Sequence, residues 1–166
     1  MRFVGICLVI VLLFLIGINL VMTGEGSREQ PIEFSHQKHV GELELDCSEC
    51  HRYYKDHETA GLPDIEVCLE CHSEAVTESR EEEKIRTYAE KGQGIPWERI
   101  YLMPDHVFFS HRRHVTLGKL GCSPCHGEMG KKTAPLTKPE VNLSMGFCTD
   151  CHRKMGANRD CLACHI

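Results

Sequence analysis

Residues 47–51 read Cys47-Ser48-Glu49-Cys50-His51, and the same Cys-x-x-Cys-His pattern occurs five times along the chain. The five copies use ten of the eleven cysteines: Cys47, Cys50, Cys68, Cys71, Cys122, Cys125, Cys148, Cys151, Cys161 and Cys164. One histidine follows each pair: His51, His72, His126, His152 and His165. Two thiols at this spacing can add to the two vinyl groups of one porphyrin, and the adjacent histidine can then bind its iron. The pattern therefore predicts five haem c groups with these histidines as proximal ligands.

Other uses of paired cysteines fit this pattern less well. Structural zinc sites also contain Cys-x-x-Cys, but they usually consume the pairs two at a time, and five is an odd number. A disulfide framework would not place a histidine after every second cysteine. The chain has no long aliphatic run after Met22, so side-chain burial alone would stabilise it poorly. We therefore expect a haem-filled core with short helices, loops and little strand.

A segment upstream of the first motif recurs 75 residues later. Phe34-Ser35-His36-Gln37-Lys38-His39-Val40 is matched by Phe109-Ser110-His111-Arg112-Arg113-His114-Val115, and each first histidine stands 11 residues before a haem cysteine. A second haem motif follows each block. The repeat predicts two di-haem modules, at 34–76 and 109–152. The segment 77–108 would join them as a charged helix and an extended stretch, and 153–166 would carry the fifth haem.

Six histidines outside the motifs are available as distal iron ligands: His36, His39, His57, His106, His111 and His114. Residues i and i+3 of a helical turn are neighbours, so each His-x-x-His pair can reach two adjacent haems. We therefore predict His36, His39, His111 and His114 as distal ligands. The fifth is either His57 or His106, since neither has a counterpart in the repeat. Met103, Met145 and Met155 could also bind iron, but packing explains methionines more simply.

The N-terminal residues 3–22 are almost all apolar and, as a helix, would be roughly 30 Å long, enough to cross a bilayer core. We expect a transmembrane anchor at 1–24, followed by a linker at 25–33. The alternative is a signal peptide cleaved near Gly24-Glu25-Gly26. Haem c is attached outside the cytoplasm, so we expect a single-pass protein of the cytoplasmic membrane with its soluble part in the periplasm. Cys7 lies within the apolar run and is read as an apolar side chain.

The charge balance gives a weaker constraint on partners. The formal net charge is −5, and haem propionates would make the protein more acidic. No basic patch indicates nucleic-acid binding. Protein redox partners are expected, although net charge does not identify them.

The Phe-x-His-x-x-His segment ahead of Cys-x-x-Cys-His resembles the small class III multihaem cytochromes, which have bis-histidine haems and little regular structure. In that family the first histidine binds the haem just downstream and the second binds a later one. The resemblance implies that His36 shares a haem with His51 and that His39 shares one with His72. It likewise implies that His111 pairs with His126, and His114 with His152.

Several further segments resemble the membrane-anchored multihaem subunit of alternative complex III and related quinone-oxidoreductase complexes. These segments are Gln30–His36, Ala60–Pro63, Ile95–Arg99, Pro104–Val107 and Met145–Arg153. The resemblance implies an electron-transfer subunit of a quinol-oxidising or quinone-reducing respiratory complex. Its partners would be an iron–sulfur or molybdopterin-like subunit, a quinone-binding membrane subunit, or soluble cytochromes.

Two other functions compete with this interpretation. Multihaem enzymes need an open iron position, often with lysine replacing the motif histidine, whereas every motif here ends in histidine. We therefore predict an electron carrier with no catalytic residue. A stand-alone membrane-anchored quinol dehydrogenase or a periplasmic electron shuttle is the alternative. Only about two dozen residues separate Met22 from Cys47, which would keep the first haem near the membrane surface.

Overall fold

The computed structural model describes residues 28–165, which form short helices joined by loops. The α-helices of this region are α1 Cys47–Cys50, α2 Ile65–His72, α3 Arg80–Glu90, α4 Ser123–His126, α5 Met145–Met155 and α6 Cys161–Cys164. Two π-helices span Gln37–Glu42 and Arg112–Leu117, and two 3₁₀-helices span Arg52–Lys55 and Met129–Lys131. Within residues 28–165 the β pairing is limited to one antiparallel bridge, between Val107 and His165. The predicted fold of short helices and loops is confirmed.

Three of the five haem-motif helices, α1, α5 and α6, are stabilised at their N-termini by local side-chain caps. The Asp46 carboxylate accepts a hydrogen bond from the Ser48 N–H at 2.8 Å, and Asp160 does the same for the Leu162 N–H at 2.9 Å. Ser144 caps α5 through the Phe147 N–H at 3.2 Å. A side-chain oxygen at this position satisfies a backbone donor that the first turn leaves unpaired. These caps allow helices of only one turn to hold two cysteines on one face.

Direct side-chain burial is confined to one corner of the molecule. The buried apolar residues among 28–165 are Ile32, Ile65, Ile85 and Ile95, and Trp97 packs against them where α2 meets α3. No side chain in that range is completely buried, and Leu162 is 82% exposed. A chain of this length normally buries far more apolar surface. The small core agrees with the expectation that haems fill the interior.

The charged helix predicted within 77–108 is α3. Ser79 caps its N-terminus by accepting a hydrogen bond from the Glu81 N–H at 3.2 Å. Beyond its end, Gly92 has φ of 62°, a left-handed conformation that glycine adopts without a side-chain clash.

Both copies of the sequence repeat form a π-helix, and His36 and His111 stand at the N-terminal ends of the two. Each π-helix is followed by a residue with positive φ: Glu44 at 57° and Lys119 at 55°, again 75 residues apart. Short π-helical turns occur frequently at functional sites because they displace side chains from ordinary helical positions. The two copies of the sequence repeat therefore also have the same backbone structure.

The two repeats pack against each other by a reciprocal exchange. The N–H of Gln37 donates to the carbonyl of Lys132 at 2.8 Å, and that of Arg112 donates to the carbonyl of His57 at 3.2 Å. Both donors and both acceptors are 75 residues apart. The first π-helix thus packs on the Met129–Lys131 segment of the second repeat, and the second packs on Arg52–Lys55 of the first.

No helix within residues 28–165 has the length and hydropathy needed to cross a membrane. The predicted anchor at 1–24 lies outside the residues that the structure describes.

Candidate haem-binding sites

The structure brings each haem-motif histidine close to one other histidine. The ring centres are 6.2 Å apart for His39 and His72, 6.2 Å for His111 and His126, 6.1 Å for His114 and His152, and 5.6 Å for His106 and His165. His51 lies near His36, close enough that its charge lowers the pKa of His36. Two imidazoles on opposite sides of one iron, each bound at about 2 Å, have ring centres roughly 6 Å apart. Four pairs therefore have the separation of a bis-histidine haem, and His36 is the candidate partner of His51 at the remaining site.

The structure separates the two candidates that the sequence left open for the fifth haem. His106 stacks on His165 with an angle of 16° between the rings, and the Val107–His165 bridge fixes this approach. His57 instead packs edge-on against Tyr53 at 5.7 Å. The geometry favours His106 as the distal ligand. The contribution of His57 is its backbone carbonyl, which accepts the Arg112 N–H.

Most of these histidines use Nδ1 to donate a hydrogen bond to a backbone carbonyl. The donor–acceptor pairs are His39 to Ser35 at 2.9 Å, His51 to Gly61 at 2.7 Å, His111 to Glu58 at 2.8 Å, His114 to Ser110 at 2.9 Å, His152 to Asn158 at 2.6 Å and His165 to His106 at 3.3 Å. A proton held on Nδ1 leaves the lone pair on Nε2, which is the atom that binds iron. These bonds also fix the ring orientations.

Burial keeps several of the histidines neutral. It lowers the pKa of His36 to about 4, with smaller contributions from His51 and His39. Burial is also the main cause that lowers the pKa of His111 and of His126. A neutral imidazole is the form that binds a metal. The Nδ1 atoms of His36 and His72 are buried without a hydrogen-bond partner.

A phenylalanine holds each His-x-x-His pair in place. Phe34 contacts His36 edge-on at 4.9 Å and stacks on His39 at 4.4 Å. Phe109 repeats both contacts, with His111 at 4.9 Å and His114 at 4.6 Å. The phenylalanine recurs in the sequence repeat, and this recurrence could have indicated that it contacts the two histidines. The spacing of the haem motifs did not indicate it.

One cross-module contact had no signal in the sequence. The backbone carbonyl of Glu58, in the first module, accepts hydrogen bonds from both the N–H and the Nδ1–H of His111, in the second. Every residue carries a carbonyl, so its choice as acceptor depends on the fold. The first module therefore orients a predicted haem ligand of the second.

All ten motif cysteines are free thiols within 28–165. In that range, no three His, Cys, Asp or Glu side chains converge to hold a metal ion by themselves. Burial, together with the neighbouring Cys47, raises the pKa of the Cys122 thiol to about 11. Thioether formation would consume these thiols, and the two histidines of each pair would supply the iron ligands.

The thiols also show which haem sites are neighbours, where sites 1 to 5 follow the order of the motifs along the chain. Burial is the main cause of the raised thiol pKa at Cys68, Cys122, Cys125 and Cys148, and the next cause at each is a cysteine of an adjacent site. Cys50 acts on Cys68, Cys47 on Cys122, Cys151 on Cys125, and Cys164 on Cys148. The attachment points therefore follow the spatial order 2, 1, 3, 4, 5.

A buried carboxylate lies beside site 2. Glu82 on α3 accepts hydrogen bonds from Thr77 Oγ1 at 2.6 Å and from the Val76 N–H at 2.7 Å, and these are the main causes that lower its pKa to about 2. Arg86 Nη1 donates to the same carboxylate at 2.9 Å. Its Oε1 lies 3.5 Å from Nδ1 of His72. Motif reasoning did not identify Glu82, which stands in a run of three glutamates that a solvated helix face would explain.

Comparison with known families agrees with this arrangement. The Class III cytochrome C family matches residues 19–95, which contain sites 1 and 2. Cytochrome c7 and related cytochromes c match residues 107–166, which contain sites 3 to 5. Both parts of the chain are therefore similar to multihaem cytochromes c of the class III type.

The chain is also similar to a named protein, the multihaem cytochrome c subunit of menaquinone reductase from Nitratidesulfovibrio vulgaris (strain Hildenborough). The two are 39% identical over 100 residues, which are 60% of this chain and 46% of the relative. The alignment thus spans less than half of the relative's length. The resemblance to multihaem subunits of quinone-linked complexes that the sequence predicted is confirmed.

Proposed function

We propose that this chain is a five-haem electron relay, held at the cytoplasmic membrane by residues 1–24 with its haems on the periplasmic side. It serves as a subunit of a quinol-oxidising or quinone-reducing complex. The observation that carries the relay is the set of four histidine pairs, each joining one motif histidine to one other histidine at a separation suited to a single iron, with His36 beside His51 as the candidate fifth pair.

Two histidines per iron suit electron transfer rather than catalysis. Bis-histidine ligation fills both axial positions, so no substrate reaches the metal and only electrons pass. The His-x-x-His pairs place site 1 beside site 2 and site 3 beside site 4. The neighbouring thiols of Cys47 and Cys122 join the two modules between sites 1 and 3. Electrons therefore travel through one unbranched line, with site 2 and site 5 at its ends.

Three observations support the membrane and the complex. The apolar segment 3–22 is long enough to span a bilayer. Haem c is attached outside the cytoplasm, which orients the anchor. The similar protein from Nitratidesulfovibrio vulgaris is named as a subunit of menaquinone reductase. A stand-alone quinol dehydrogenase or a shuttle would need only the first two.

Spectroscopy of the haem-loaded full chain tests the relay. We expect only low-spin, six-coordinate ferric haem and no binding of carbon monoxide after reduction. A stoichiometric high-spin haem in the unmodified protein would contradict the ligand scheme and favour an enzyme with an open iron position.

Isolation from the native membrane tests the complex. We expect the full chain, solubilised in mild detergent, to co-purify in fixed stoichiometry with a quinone-binding membrane subunit. The isolated assembly should exchange electrons between a menaquinol analogue and the haems. A monomeric cytochrome that menaquinol reduces directly would instead support the stand-alone dehydrogenase, and one that menaquinol does not reduce would support the shuttle.

A further inference from the structure

Glu82 is the one charged side chain that is buried among residues 28–165, with 6% of its surface exposed. It lies next to His72, the predicted proximal ligand of site 2, with 3.5 Å between Oε1 and Nδ1. The proximal histidines of sites 1, 4 and 5 direct Nδ1 at neutral backbone carbonyls instead. Of these four proximal histidines, His72 of site 2 is the only one that lies beside a carboxylate.

The position of this carboxylate is fixed by surrounding donors. The N–H groups of Val76 and Thr77 donate to it at 2.7 and 2.8 Å, and the Thr77 hydroxyl donates at 2.6 Å. Arg86, one turn further along α3, adds a charged donor at 2.9 Å. Because α3 packs on α2, which carries His72, the carboxylate cannot move away from the ligand without disturbing the isoleucine core.

A negative charge at this place acts on the iron through the histidine. Ferric haem carries one more positive charge than ferrous haem, so an anion near the ligand stabilises the oxidised state. At 3.5 Å the Glu82 carboxylate makes no hydrogen bond to Nδ1 of His72, but its negative charge polarises the imidazole towards the iron, which has the same effect. The interaction is strong when the groups are shielded from water. Arg86 opposes this effect, because its Nη1 donates at 2.9 Å to Oε1, the same Glu82 oxygen that lies 3.5 Å from His72.

We propose that Glu82 is a positioning residue that lowers the reduction potential of the haem at site 2. The proposal rests on the haem scheme of the proposed function and adds a residue that distinguishes one end of the relay. An electron that arrives at site 2 is then driven towards site 1, in the interior of the line.

A redox titration of the haem-loaded full chain, followed by electron paramagnetic resonance, tests this proposal. The ferric low-spin signal of site 2 is the one that disappears in His39→Ala. In Glu82→Gln the equilibrium constant for reducing that haem should rise about tenfold, which corresponds to about 59 mV for one electron. The matched control is Glu83→Gln, the same charge change on the exposed side of α3, which should leave the potential unchanged.

Arg86→Met separates an electrostatic effect from loss of packing. Glu82→Gln and Arg86→Met both break the same ion pair. Arg86→Met, however, keeps the carboxylate and removes the positive charge beside it, so it should lower the site 2 potential. Shifts of the same sign in the two variants, or no shift in Glu82→Gln, would overturn the proposal. If Glu82→Gln fails to incorporate haem, an unchanged or raised potential in Arg86→Met is sufficient to reject it. A wrong haem count or a high-spin signal in the parent would refute the haem scheme itself, independently of Glu82.

Discussion

Replacing Gly41 by alanine should loosen the contact between the two modules. An alanine Cβ at this position would stand 2.5 Å from the carbonyl oxygen of Gly130, whereas ordinary van der Waals contact begins at 3.4 Å. The two backbones must therefore separate by about 0.9 Å, because a carbonyl cannot rotate away as a side chain can. Overpacking of this kind costs about 1–3 kcal/mol. For a domain of this size, the thermal midpoint should fall by roughly 2–12 °C.

The assay is thermal unfolding of the haem-loaded protein, followed by far-UV circular dichroism. Gly94→Ala is the matched control, because an added Cβ there meets nothing within 4 Å and Gly94 has no positive φ. It should leave the midpoint unchanged or raise it slightly, by at most about 1 kcal/mol of stability. Haem content should be normal in both variants because thioether bonds hold the haems. Equal midpoints in the two variants would show that the reciprocal packing of the modules is not tight.

Three further outcomes follow from the same structure. Pyridine haemochrome titration against protein mass should give five haems per chain, and four or fewer in fully matured protein would contradict the count. The intact mass should include residues 1–26 and the protein should require detergent, whereas a mature N-terminus at Ser27 would indicate cleavage. His111→Ala and His106→Ala should each produce one high-spin haem that binds carbon monoxide, because each removes one distal ligand. His57→Ala should keep all haems low-spin. The opposite result for His57 and His106 would reverse the assignment at site 5.

The haem motifs and the repeat were readable from the sequence because their chemistry depends on residue type. A thioether needs cysteine and an axial ligand needs histidine, so spacing alone predicted the attachment points and four of the five distal candidates. The scarcity of strand followed from the same pattern. The choice between His57 and His106 did not follow from the pattern, because it depends on the bridge between Val107 and His165 and on the contact of His165 with His106, 59 positions away.

The exchange between modules was not predictable for a different reason. Its acceptors are the backbone carbonyls of His57, Glu58 and Lys132, and a carbonyl leaves no trace in the sequence. The π-helices were equally hidden, since their wider hydrogen-bonded turns carry no residue signature. The fixed offset of 75 residues nevertheless relates the carbonyls of His57 and Lys132, and it relates the two π-helices. Applying that offset to contacts as well as to motifs would have suggested symmetric packing.

That packing has the form of an isologous interface within a single polypeptide. In a two-fold symmetric homodimer, a donor on one subunit meets an acceptor on the other and the reverse contact recurs, with like residues meeting at the axis. Gln37 with Lys132 and Arg112 with His57 are such a reciprocal pair, and Cys47 beside Cys122 marks the axis. Fusion of two identical di-haem subunits after gene duplication would produce this arrangement. Once joined, such halves need not remain identical: the buried carboxylate lies on α3, in the segment between them, and the predicted fifth haem site follows the second half.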